Sequence, residues 1–287
     1  MQSKQLLILI ILFFTAILVG VKRDYATQLG WQNDRIGVMV VDGPLSYTSV
    51  GFNQSIDGIL DQLAVFKKDD SIKGLVVRVN SPGGTVGASQ ALQRALEDYK
   101  AEKNIPIIIS VADVCASGAY MLALGGDTIF AYPGSLVGSI GVIIQGWDFP
   151  QVPDRYGIDA RTYKSGLYKD LLSSWRESTP DEQVLIQSLL DDIHSQFKDA
   201  VQDKRGLSDE AIARLGQGQI FTGRQAQAAG LVDTLGSFSD AVTYAKAQAG
   251  VSENAPLVYK RNTVFDFLST VQGYYARTAS VLPIPTL

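Results

Sequence analysis

The sequence predicts an α/β fold in which parallel strands alternate with helices. Short apolar runs and stretches of helical spacing follow one another through most of the chain, a pattern that is typical of a parallel sheet with right-handed connections. The run at residues 73–79 shows little polar alternation, as expected for a strand with both faces covered. The chain has 287 residues, 46% of them hydrophobic, which is enough for one large domain with a well-filled core.

The predicted elements can be placed in order. Thr179 can cap a helix whose first position is Pro180 and whose capping box is completed by Glu182, and Gly206 can end it. A short helix is expected to begin after Ser208. Strands are predicted at residues 35–41, 73–79, 106–111, 127–131, 140–144 and 158–163. Further helices are predicted at residues 52–68, 88–100, 224–229 and 237–249.

Both ends of the chain are predicted to lie outside this domain. Residues 6–21 carry no charge and indicate a single membrane anchor within residues 1–23; no clear cleavage site follows, so an uncleaved anchor is favoured over a removed signal peptide. Basic residues flank the run on both sides, so charge alone does not give its orientation. A linker at 24–34 would lead to a domain at 35–250. The tail at 251–287 shows mixed helical spacing at residues 263–282, which predicts an amphipathic helix packed on the domain, a sister subunit or the membrane.

The composition argues against several classes of protein. The net charge is −4 and no basic block appears, so no nucleic-acid partner is expected. A single cysteine, Cys115, leaves no intrachain disulfide, and no Cys/His cluster has metal-ligand spacing. We therefore expect no metal or other cofactor, and we interpret Cys115 as a small buried side chain.

Ser117 is the candidate nucleophile. It lies in the segment VCASGAY at residues 114–120, after the apolar run 107–111 and at the start of a predicted buried helix. A turn of small residues between a strand and a helix presents a side chain at the strand end, with backbone N–H groups beside it. A serine hydroxyl needs a base, but the only histidine, His194, lies in a charged helical stretch.

Glycine-containing turns could complete a site around this serine. They lie at residues 81–84, 116–119 and 138–141, and turns at the carboxyl ends of parallel strands meet at one edge of a sheet. Gly83 and Gly84 lack side chains, so their N–H groups can approach an oxyanion, with Gly118 N–H as a second donor. Taken singly, each glycine could also serve only its own turn.

A lysine is the expected base. Lys164 and Lys169 both lie in a loop before the helix capped by Thr179. A lysine acts as a base only if desolvation or a neighbouring cation lowers its pKa. Tyr168 and the leucines at 171–172 could give Lys169 apolar surroundings, but the spacing alone does not choose between the two lysines.

Several motifs in order resemble the S49 family of serine proteases, the signal peptide peptidases, within the Clp-protease/crotonase fold group. The similarity extends over about residues 35–249 and includes a Gly-x-x-Lys pattern that ends at Lys169. The motifs are RVNSPGG at 78–84, ASGAY at 116–120, GSIGV at 138–142, SGLYK at 165–169 and FTGRQA at 221–226.

This resemblance implies a Clp-protease/crotonase-like fold and a Ser/Lys dyad. Ser117 matches the nucleophile, and Lys169 matches the general base better than Lys164 does. Gly83 matches the first oxyanion-hole position, with the N–H of Gly118 beside it. Ser139 resembles a family serine that could hydrogen-bond the lysine.

The resemblance also implies a membrane-anchored serine endopeptidase that degrades remnant signal peptides or other apolar peptides. Its catalytic domain would lie outside the cytoplasm, and subunits would form a homo-oligomeric ring in which a dyad can be completed between neighbours. Ala119 departs from the second glycine that is common at this position. Two alternatives stay open: an inactive membrane scaffold of the same fold, and a crotonase-like acyl-CoA enzyme, which has no serine nucleophile.

Overall fold

The computed structural model of the chain describes residues 34–48, 55–159 and 161–259. The predicted membrane anchor at 1–23, nearly all of the linker and most of the tail lie outside the described residues. Within these ranges, each helix is too short or too polar to cross a bilayer. The boundaries predicted for the anchor, linker and tail stay predictions.

An eight-stranded sheet organises the described part of the chain. The strand order is β6-β5-β3-β2-β1-β8, with β4 paired to β3 and β7. The pairs are parallel except for β5 with β6, so the α/β fold class is confirmed with a mixed, mostly parallel sheet. The strands are β1 (Arg35–Asp42), β2 (Ile72–Ser81), β3 (Ile107–Ala116), β4 (Thr128–Ala131), β5 (Leu136–Gly138), β6 (Ile220–Thr222), β7 (Thr234–Leu235) and β8 (Leu257–Tyr259).

The helices begin largely where the sequence predicts. The longest, α5, starts at the predicted capping box: the Thr179 hydroxyl accepts from the N–H of Glu182, and the Glu182 carboxylate accepts from the N–H of Thr179. Gly206 ends α5 with a φ of 61°. The helices are α1 (Ile56–Lys67), α2 (Val86–Lys103), α3 (Gly118–Ala123), α4 (Val152–Tyr156), α5 (Pro180–Arg205), α6 (Asp209–Leu215), α7 (Gly223–Ala228) and α8 (Phe238–Gln248).

Both faces of the sheet are buried, because successive strand residues point to opposite sides. Leu75, Val77 and Val79 of β2 belong to a large core that also contains buried residues of α1, α2 and α3. Val76, between them, belongs to a smaller core formed with α8. This two-sided burial explains why residues 73–79 show no polar alternation.

Strand β3 is longer than predicted and leads directly to Ser117. Its first half pairs with β4 and its second half with β5, on the edge opposite β2. The prediction of a strand over 106–111 ended too early, because Asp113 is exposed and interrupts the apolar run. β5 thus continues the sheet where β4 ends, and its pairing with β3 extends β3 up to the candidate nucleophile.

Two predicted strands are wrong. Residues 140–144 form no strand; the strand lies before them, as β5, and ends where Gly138 and Ser139 adopt φ values of 102° and 50°. The described residues of 158–163 are exposed loop, without a neighbouring strand to pair with. The prediction also missed α4, β6, β7 and β8, which have only five, three, two and three residues and so show little periodicity.

One buried hydrogen bond joins α3 to the segment after α7. The Tyr120 hydroxyl donates to the Leu231 carbonyl at 2.8 Å, and both residues are fully buried. We expect Tyr120→Phe to lower the free energy of unfolding by about 1–3 kcal/mol, because the carbonyl loses its partner. Urea denaturation measures this. Tyr244→Phe, at an exposed ring, is the matched control and should change stability by less than about 0.5 kcal/mol; equal effects would contradict the prediction.

Candidate active site

Ser117 occupies a strained turn between β3 and α3. Its φ of 53° and ψ of −125° lie in a region that non-glycine residues rarely adopt. Its N–H donates to the Gly138 carbonyl at 2.8 Å, and its carbonyl accepts from the N–H groups of Tyr120 at 2.8 Å and Met121 at 3.1 Å. The half-buried hydroxyl does not cap α3. The backbone groups of Ser117 are thus bonded within the fold, while the hydroxyl is left to react.

The loop after β2 lies directly against this turn. Gly83 has a φ of 97°, and a Cβ at this position would lie 2.7 Å from the Gly118 nitrogen and 2.9 Å from the Ser117 Cβ. A Cβ at Gly118 would lie 3.3 Å from the Gly84 nitrogen. The structure therefore brings the three predicted glycines together beside Ser117, and this close approach requires glycine at position 83.

The N–H of Gly83 already has a partner in this structure. It donates at 3.2 Å to the hydroxyl of Ser81, a fully buried side chain at the end of β2. Sequence analysis did not single out Ser81, because a serine before Pro-Gly-Gly is an ordinary turn residue. Gly83 thus shapes the loop through its conformation, and its N–H is held by Ser81.

Gly84 and Gly118 provide the available N–H groups. Leu45 forms an isolated β-bridge with Gly84. In this bridge the N–H of Leu45 donates to the Gly83 carbonyl, and the Leu45 carbonyl accepts the N–H of Thr85. The N–H of Gly84 takes no part in it. Gly118 is the first residue of α3, where an N–H has no acceptor within the helix. These two N–H groups can serve as the two donors of an oxyanion hole.

Ser139 directly follows Gly138, whose carbonyl accepts the hydrogen bond of the Ser117 N–H. The N–H of Ser139 donates to the Gln219 carbonyl at 2.8 Å. The half-buried Ser139 also has a positive φ, of 50°. This second strained residue is held beside the candidate nucleophile.

The two candidate lysines have different surroundings. The Lys164 ammonium donates to the Asp170 carboxylate at 2.7 Å and to the Leu167 carbonyl at 3.0 Å. These two contacts engage the Lys164 amine within its own loop, which argues against Lys164 as the base for Ser117. Lys169 is exposed, and its amine forms no ion pair within the described ranges. No hydrogen bond joins Lys169 to Ser117 within this part of a single chain.

Arg176 organises the loop that carries these lysines. It binds the Asp170 carboxylate with two bonds of 3.0 Å and the Glu182 carboxylate with bonds of 2.8 and 2.5 Å. Hydrogen bonds from Arg176 and then Lys164 hold the pKa of the Asp170 carboxyl well below its usual range. Arg176, followed by the N–H of Thr179, lowers the pKa of Glu182 to about 2. A capping-box pattern does not show which cation pairs with its carboxylate, so sequence analysis missed Arg176.

The remaining candidates are bonded elsewhere. The Nε2 atom of His194 lies 2.7 Å from the Gly216 carbonyl, at the end of α6. Cys115 is fully buried, as predicted, and burial raises the pKa of its thiol to about 12. Within the described ranges, no group of three or more His, Cys, Asp or Glu side chains could hold a metal ion. Of the predicted site residues, the structure thus brings the three glycines and Ser139 to the Ser117 turn, and it does not bring Lys169 there within the described part of one chain.

The close approach at Gly83 has a measurable consequence. We expect Gly83→Ala to lower the free energy of unfolding by about 1–3 kcal/mol, because an L-residue is strained at this φ. Gly87→Ala is the matched control in α2, where nothing lies within 4 Å of an added Cβ; it should raise stability by up to about 1 kcal/mol. Chemical denaturation compares them, and a neutral Gly83→Ala would show that the loop is not held against Ser117.

Comparisons with known proteins identify a family and several relatives. The model of peptidase family S49 matches residues 99–252. The chain is 40% identical over 177 residues to "Putative protease slr0021" of Synechocystis, covering 62% of this chain and 63% of the relative. It is 33% identical over 204 residues to "Putative signal peptide peptidase SppA" of Enterococcus faecium, covering 71% and 59%.

A third relative, "Protease 4" of Salmonella typhi, is 30% identical over 214 residues, which cover 75% of this chain and 34% of the relative. The chain thus spans less than two thirds of the length of these relatives. The matched family region includes the turn at Ser117, the strained Ser139 and the loop of Lys169. On this match, the chain belongs to peptidase family S49.

Proposed function

We propose that this chain is a serine endopeptidase in which Ser117 is the nucleophile and Lys169 the general base. The observation that carries the proposal is the strained turn that presents the Ser117 hydroxyl beside the available N–H groups of Gly84 and Gly118. Membership of a peptidase family supports the same reaction. Neither an acyl-CoA enzyme nor an inactive scaffold requires a serine held in this conformation.

The proposed reaction is acyl transfer to Ser117. Lys169, in its neutral form, takes the hydroxyl proton as the oxygen bonds to the peptide carbonyl carbon, and the oxyanion accepts from Gly84 and Gly118. The lysine returns the proton to the leaving amine as the C–N bond breaks. Water then hydrolyses the acyl-enzyme, with Lys169 accepting the proton of the water and returning it to Ser117. Ser139 would hydrogen-bond the amine and orient it.

The exposed position of Lys169 supports a dyad completed between subunits. Its loop follows a segment with unusually many exposed apolar side chains, and clusters of this kind mark interaction surfaces. We infer that copies of the chain pack through this segment as a ring and bring Lys169 of one copy to Ser117 of the next. The most exposed of these side chains are Ile143 (81%), Trp147 (66%), Tyr156 (71%), Tyr163 (92%) and Leu167 (68%).

The proposed substrates are remnant signal peptides or other apolar peptides. The Enterococcus faecium relative, named as a signal peptide peptidase, supports this class. A membrane anchor at residues 6–21 would place the enzyme where such peptides are released, with its catalytic domain outside the cytoplasm. Peptide-cleavage profiling of the chain without this segment would define the substrate class.

The dyad can be tested by substitution. We expect Ser117→Ala, Lys169→Ala and Lys169→Arg each to lower kcat for an apolar peptide by at least about 10⁴-fold, because the members of a catalytic unit fail together. Lys169→Arg retains the charge but cannot act as a base at neutral pH, so it separates a base from a structural cation. His194→Ala should keep its activity. An active Lys169→Arg variant would rule out Lys169 as the base.

Mixed oligomers test where the dyad is formed. Ser117→Ala and Lys169→Ala subunits are each inactive, but a random mixture should recover about a quarter of the wild-type activity if neighbours complete the site in a closed ring. Native mass spectrometry confirms that the subunits have mixed. A confirmed mixed ring without activity would place both residues of each dyad in one chain.

A further inference from the structure

We propose that Arg176 is a positioning residue for the dyad, which fixes the loop of Lys169 and keeps the Asp170 carboxylate away from the Lys169 amine. This inference rests on the proposed roles of Ser117 and Lys169. Arg176 itself touches neither of these residues through a hydrogen bond in the described part of the chain.

The contacts of Arg176 join the residue after the base to the start of a long helix. Its guanidinium binds both oxygens of Asp170 and, through Nη2, the Asp170 backbone carbonyl at 3.3 Å. The same group binds both oxygens of Glu182. Two bidentate pairs fix the orientation of a guanidinium more firmly than point contacts do. We call these bonds of Arg176 to Asp170 and Glu182 the clamp. Because Asp170 directly follows Lys169, the clamp acts one residue away from the proposed base.

The far end of the clamp is rigid. Glu182 is only 3% exposed, and one of its carboxylate oxygens also accepts the N–H of Thr179 at 2.9 Å in the capping box of α5. The side chain of Asp170 is 13% exposed. Removal of Arg176 would leave these two carboxylates without their main partner, which is unfavourable at sites so little exposed.

The loop between these ends is strained. Leu172 has a φ of 63°, which is rare for a bulky residue and persists only where the surroundings hold it. Local turn bonds run from Leu171 N–H to the Tyr168 carbonyl and from Ser173 N–H to the Asp170 carbonyl. Arg176 provides the cross-link from this turn to α5, and we infer that it maintains the strained conformation.

The clamp also controls charge beside Lys169. The charged groups that it gathers are Lys164, Asp170, Arg176 and Glu182. A base must be neutral to act, and a free carboxylate next to it would stabilise the protonated amine. Arg176 and Lys164 occupy the oxygens of Asp170 and so prevent this pairing.

Kinetics of Arg176 variants test the inference. We expect Arg176→Met to lower kcat about 100-fold with little change in KM. The pH of half-maximal activity should move upward by about one unit, because Lys164 still binds Oδ1 of Asp170 but Oδ2, which Arg176 alone held, becomes free to pair with Lys169. Adding Asp170→Asn to this variant should reverse the pH shift. Arg176→Lys keeps one charge without two bidentate pairs and should lie between wild type and Arg176→Met.

The matched control is Arg94→Met, which removes an arginine from an exposed 3.0 Å pair with Asp98 on α2 and should behave as wild type. Hydrogen–deuterium exchange gives a readout independent of catalysis: in Arg176→Met, amides of residues 164–173 should exchange faster while those of α5 and the sheet do not. Thermal melting checks that the variant is folded, and Arg176→Lys replaces it if it is not.

The outcomes separate the two proposals. If the wild type cleaves no peptide, the proposed function fails, and exchange alone decides whether Arg176 holds the loop. If the wild type is active, unchanged exchange together with an unshifted pH profile would overturn the positioning role. A shift that Asp170→Asn fails to reverse would overturn the charge effect.

Discussion

The candidate site depends on the backbone conformation of Ser117. A non-glycine residue at a φ of 53° is stable only because its N–H and carbonyl are bonded to Gly138 and to the first turn of α3. Gly138 ends β5, the short strand that pairs with the last residues of β3 after β4 has stopped. The switch of partner along β3 therefore places the serine at the end of a paired strand with its side chain free.

Close packing of glycines completes the surroundings of this serine. Gly83 approaches within a distance that excludes any side chain, and its N–H is held by the buried hydroxyl of Ser81. This arrangement leaves the N–H groups of Gly84 and Gly118 available beside Ser117. Gly83 thus shapes the loop after β2, whereas the available N–H groups belong to Gly84 in that loop and to Gly118 at the start of α3.

Local patterns in the sequence predict much of this arrangement. The capping box at Thr179, the uniformly apolar strand β2 and the strand-to-helix turn at Ser117 all follow from neighbouring residues. The short strand β5 and the clamp at Arg176 do not, because they depend on partners distant in sequence or on which cation a capping carboxylate binds. The false strand at 140–144 shows the same limit: its apolar residues resemble a strand, but two positive φ values end the ladder before them.

Covalent labelling tests whether the fold activates Ser117 through a lysine base. The intact protein is treated with a fluorophosphonate, which reacts with activated serine hydroxyls, and peptide mapping by mass spectrometry locates the adduct. We expect one adduct, on Ser117, that forms faster as the pH rises and is absent in Lys169→Arg. An adduct on another serine, or equal labelling of Ser117 in Lys169→Arg, would contradict it.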